Sequence, residues 1–131
     1  MRVHAAVTLA AAIGLAACAP TYPETGQPSE FDGLWAGSLT SMSAPCVESK
    51  MTAEGDIRYG FVIGEVKEIA ASRIIRYQIW GQIGADKRLN ASIGIAGVAG
   101  ASADILFDGN DARGTWKSSD CDGDVTLRRV Q

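Results

Sequence analysis

From Gly33 to the end of the chain, apolar and polar residues alternate in short runs broken by Gly, Asp and Asn. No stretch keeps the 3.6-residue period of an amphipathic helix for three turns, whereas a period of two marks strands with one buried face. The pattern predicts a strand over Gly33–Ser41, with Trp35, Gly37 and Leu39 on one face and Leu34, Ala36 and Ser38 on the other. A loop follows over Ser41–Pro45. A weaker strand, Cys46–Ala53, ends at a turn formed by Glu54, Gly55 and Asp56. A third strand covers Ile57–Lys67, with Ile57, Tyr59, Phe61 and Ile63 sharing a face, and a fourth covers Ser72–Ile83. The chain turns at Gly84–Lys87. Strands over Arg88–Gly97 and Ala99–Phe107 come next, the second closed by the turn Asp108-Gly109-Asn110-Asp111, whose residues tolerate positive φ. Arg113–Lys117, a short turn, and Gly123–Val130 complete the set, with Val125 and Leu127 facing in and Asp124, Thr126 and Arg128 facing out.

Seven to eight short strands, each placed to pair with the one before, fit a small antiparallel up-and-down β-barrel. A small β-sandwich is the alternative. Closure favours the barrel, because it removes the unpaired edges that promote aggregation. Residues 31–131 suffice for one domain and not two.

Two segments precede this domain and differ from it. Arg2 and His4 open a leader that is apolar from Ala5 to Leu15 except for Thr8. This eleven-residue stretch falls short of the ~20 a membrane-spanning helix needs, and the arrangement fits a cleaved signal helix over residues 1–17. Residues 19–30, APTYPETGQPSE, hold three of the four prolines and cannot bury a core. With Cys18 they read as a tether.

Leu15-Ala16-Ala17-Cys18, at the end of the apolar run, resembles the lipobox of bacterial lipoproteins. The resemblance implies cleavage before Cys18, acylation of that cysteine with palmitate-type chains, and a membrane partner reached through lipid. Two or more acyl chains anchor stably where one does not. Ala19, in place of aspartate, implies sorting to the outer membrane, with the periplasmic face favoured over the cell surface.

Cleavage there changes what chemistry is open. The only histidine, His4, leaves with the leader, so Ser-His-Asp and Cys-His catalysis are excluded and the commonest zinc ligand is gone. Lys+Arg falls from 12 to 11 against 15 Asp+Glu, a side-chain balance of about −4. That argues against nucleic acid as a partner. With Cys18 acylated, Cys46 and Cys121 remain as an even pair in an oxidising compartment. A bridge between them would tie an early strand to the last.

The remaining candidates for chemistry are weak. Asp120, Asp122 and Asp124 alternate, but the glycine and glutamate spacing of a calcium loop is missing; they read as one solvated strand face. Gly94, Gly97 and Gly100 lack the lysine of a phosphate loop and read as a small-residue strand pair with its turn. Glu65 and Glu68, three apart in a strand, point to opposite faces and make a poor carboxylate pair. No metal, cofactor or catalytic set emerges. Arg73, Arg76, Lys87 and Arg88 form a basic island in the sequence and are the candidate patch for an acidic partner.

Phe31-Asp32-Gly33-Leu34-Trp35-Ala36-Gly37, with Gly114-Thr115-Trp116 and Cys121-Asp122-Gly123, resembles small secreted bacterial β-domains that open on a Gly-x-Trp-x-Gly strand. A looser similarity is to periplasmic barrel lipoproteins that inhibit proteases or lysozymes. Calycin-like ligand carriers also open on Gly-x-Trp. These resemblances imply a non-enzymatic binding module acting on an envelope protein or polymer. A carrier of a small apolar ligand is the alternative, and a hydrolase using carboxylates alone comes last. Side chains are expected to fill so small a barrel.

Overall fold

The structure, a computed structural model, describes residues 19–41, 50–70 and 72–131. Eight strands follow in order: β1 (Gly33–Ser41), β2 (Lys50–Arg58), β3 (Phe61–Ala70), β4 (Arg73–Gln82), β5 (Arg88–Ile95), β6 (Val98–Asp108), β7 (Asp111–Ser118) and β8 (Asp122–Arg129). Each pairs antiparallel with the next, and β8 returns to β1, so the sheet closes. The expected up-and-down barrel is the observed fold, and the sandwich is set aside.

Period-two alternation does the sorting. Trp35 and Leu39 on β1, Ile105 and Phe107 on β6, and Val125 on β8 are buried in one core, while their neighbours face solvent. The inward series also contains glycines where neighbouring backbones close in. A Cβ on Gly114 would overlap the Asp104 carbonyl, and one on Gly123 the Thr40 carbonyl. Small barrels coil sharply, and these positions are where the coiling brings strands together.

The expected strand boundaries fail between Glu54 and Lys67. Glu54, Gly55 and Asp56 are not a turn: they lie inside β2, opposite Ala36, Trp35 and Leu34 of β1. The turn is Tyr59-Gly60, both at positive φ (54° and 72°), as a primed two-residue hairpin requires. It splits the expected third strand, so Ile57 is buried while Tyr59, Phe61 and Ile63 are not. The reason is not local. The Asp32 carboxylate accepts from the amides of Tyr59 (3.1 Å) and Gly60 (2.9 Å), 27 and 28 residues away, and satisfies the donors of the turn. The fifth strand likewise stops at Ile95, before a second primed turn at Ala96-Gly97.

Phe31 closes one end of the barrel. It is 3% exposed and packs against Phe107 (5.2 Å between ring centroids), which meets Trp35 edge-on at 5.0 Å. The Arg129 guanidinium lies 5.1 Å from the Trp35 ring centre and donates to the carbonyls of Asp32 (2.7 Å) and Glu30 (2.6 Å). It holds the incoming chain across the closed end. The proline-rich stretch is not wholly apart from the barrel. The Tyr22 hydroxyl donates to the Asp56 carbonyl at 2.6 Å, its ring meets Phe61 edge-on, and Arg58 covers it at 4.8 Å.

Candidate functional site

The two halves of the barrel are filled differently, and the inward residues explain why. At the closed end Phe31, just before β1, packs with Trp35, Ile57, Leu89, Ile105 and Phe107 from the strands, and a residual void of about 20 Å³ is left. That is space for one water at most, and apolar walls give it nothing to bond. Toward the other end the inward positions shrink to Ala101, Ser118 and Cys121 among Leu39, Met51, Val66, Ile93 and Trp116. Among the described residues, side chains no longer meet across the axis. The result is an open cup of about 620 Å³, in the range of small-molecule sites. The expectation of a filled barrel therefore holds for one half only.

The walls of the cup are largely aliphatic and aromatic, with a polar pair on one side. The Tyr77 hydroxyl on β4 donates to Glu68 Oε2 on β3 at 2.9 Å. Burial raises the Tyr77 pKa above its usual value, and Glu68 adds to this by hydrogen bond and by charge; Arg73 opposes it. The phenol therefore stays protonated at neutral pH and fixes the carboxylate against the wall. Trp116 spans the wall in the same way: its indole Nε1 donates to the Thr40 carbonyl of β1 at 2.8 Å, passing over Gly123 of β8. Gly123 leaves the room the indole occupies.

The residues singled out from sequence distribute as follows. Cys18 and Cys46 lie outside the described residues. Cys121 sits at the cup, packs against the core as its parity suggests, and is not a free thiol. The four basic residues are not one patch. Arg73 is exposed at the start of β4; Arg76 pairs with Glu65 (3.1 Å); Lys87 and Arg88, at the closed end, pair with Glu30 (3.7 Å) and Asp104 (3.6 Å). Asp120 stands at the cup rim, and Asp122 and Asp124 are exposed along β8. Glu65 and Glu68 do take opposite faces, Glu65 outside with Arg76 and Glu68 inside with Tyr77.

Sequence reasoning passed over the Glu68–Tyr77 pair. A signal was there, because Glu68 shares the parity of Val62 and Val66, and Tyr77 that of Ile79. A lone carboxylate near a turn ordinarily reads as solvated. Comparison with known proteins found no family model, no curated protein and no solved structure that matches this chain.

Proposed function

We propose that this chain is a lipid-anchored envelope protein whose barrel carries a small, mainly apolar molecule in the open cup, without catalysing a reaction. One observation carries the reading: a barrel packed solid at one end keeps about 620 Å³ open at the other, walled by Leu39, Met51, Val66, Ile93 and Trp116. An apolar cup in water favours an apolar occupant. The sequence placed a protein-binding module first. The dispersed, mostly ion-paired basic residues support that less well than the cup supports a carrier.

The anchor is Cys18, acylated after removal of residues 1–17, at the outer membrane and facing the periplasm. The reading rests on Leu15-Ala16-Ala17-Cys18 and the apolar run before it. Docking of Tyr22 beside the β2–β3 turn shortens the free tether. The four residues from Cys18 to Tyr22 reach at most ~14 Å, which would seat the closed end near the bilayer and turn the cup away from it. Cys46 and Cys121 form the bridge; that Cys121 is not a free thiol supports it.

Two measurements test these statements. Metabolic labelling with palmitate should mark the wild type and not Cys18→Ser; label persisting on the variant refutes the anchor. The Cys18→Ser full chain, recovered from the envelope without detergent, should yield an apolar molecule on organic extraction and bind the uncharged probe N-phenyl-1-naphthylamine. An empty extract with no probe binding refutes the carrier.

A further inference from the structure

The wall of the cup is not equally closed on all sides. The β3–β4 ladder runs the full length of both strands, from Phe61↔Gln82 to Ala70↔Arg73. The β4–β5 ladder has only Gln78↔Gly94, Ile79↔Ile93 and Trp80↔Ser92. Toward the open end, Arg73–Tyr77 of β4 and β5 beyond Gly94 have no ladder partner in each other. β5 ends one residue past Gly94, at Ile95, where the Ala96-Gly97 turn carries the chain into β6 and leaves the start of β4 standing beyond it. Tyr77 on one side of this seam and Ile93, Ile95 and Val98 on the other all line the cup. The seam is therefore an opening in its side wall.

What borders the seam is apolar and exposed. Ile74 on β4 is 60% exposed, and Ile95 and Val98 across the seam are 59% and 73% exposed. A single exposed aliphatic residue means little. Three large ones along one break, two of them continuous with the interior of the cup, make an apolar track from outside to inside. The opposite side of the mouth is polar, with Ser118, Ser119 and Asp120.

We propose that an apolar ligand enters and leaves the cup through this side seam between β4 and β5, along Ile74, Ile95 and Val98, rather than across the polar side of the mouth. The proposal rests on the carrier reading above. Widening the seam breaks no sheet hydrogen bond between these strands, and an apolar solute crossing it stays in contact with apolar surface. Charge placed on the track should therefore obstruct passage without altering the seat of the ligand deeper in the cup.

Stopped-flow binding of N-phenyl-1-naphthylamine to the Cys18→Ser full chain tests this. Its lack of charge removes electrostatic steering from the comparison. Ile74→Asp, on the outer part of the track and outside the lining of the cup, should slow association and dissociation together, by about tenfold or more, with Kd within about twofold of the parent. Ser119→Asp, on the polar side, should leave both rates unchanged. Rates unaffected by Ile74→Asp, or slowed equally by Ser119→Asp, overturn the side passage. A Kd raised through dissociation alone also overturns it, because Ile74 would then belong to the seat and not the path. Failure of the parent to bind the probe removes the carrier reading and the passage with it, so the two failures are distinct.

Discussion

Ala101 and Ala112 both point into the barrel, yet the same substitution at each should have opposite consequences. Ala112, on β7, is 1% exposed and faces Phe107 and Leu127 at the filled end. Ala112→Leu adds three carbons where no space exists, and overpacking of this kind costs about 1–3 kcal/mol. For a domain of this size each kcal/mol lowers Tm by roughly 4–8 °C, so a fall of about 5–20 °C is expected. Ala101, on β6 opposite Ser118 and Ile93, lines the cup. The added carbons of Ala101→Leu project into open space and gain burial, worth up to about 0.8 kcal/mol for each methylene fully covered. Tm should then hold or rise by a few degrees, while N-phenyl-1-naphthylamine binding weakens because the cup has shrunk. Thermal unfolding followed by far-UV circular dichroism reads the first effect and probe titration the second. A similar loss of Tm in both variants would refute the reasoning, since the upper half would then be as tightly packed as the lower.

Three further outcomes follow from the geometry. Gly114→Ala forces a Cβ into the Asp104 carbonyl and should cost at least ~2 kcal/mol in urea unfolding, whereas Gly100→Ala, with nothing near its added carbon, should be close to neutral. Burial raises the folded-state pKa of both Tyr22 and Tyr77 above 10.0, so their contribution is fully present below pH 10 and is lost as pH rises through the folded values. Stability should decline above about pH 10, less steeply in Tyr77→Phe, with an ultraviolet phenolate titration locating the two groups. Cys121→Ser should lower stability by roughly 4–5 kcal/mol in the loop-entropy account of a bridge to Cys46, less any strain relieved. Reductant should reproduce that loss in the wild type and change nothing further in the variant.

Sequence alone determined the fold class and most of its punctuation. The alternation of Val125 and Leu127 with Asp124, Thr126 and Arg128 fixes the faces of β8, because side-chain direction in a strand depends on parity and nothing else. Gly109, at positive φ in the β6–β7 turn, is a local matter too. The turn at Tyr59-Gly60 was not legible, since its amides are satisfied by Asp32, a residue that only chain closure brings near. The cup was hidden for the same kind of reason. Parity says that Ala101, Ser118 and Cys121 point inward, but not that they stand at one level while Trp35, Ile57 and Phe107 stand at another. Which inward residues share a level depends on the stagger of eight strands around a closed ring, a property of the whole barrel. The tertiary structure therefore decided where the interior is full, where it is open, and that Glu68 and Tyr77 meet inside it.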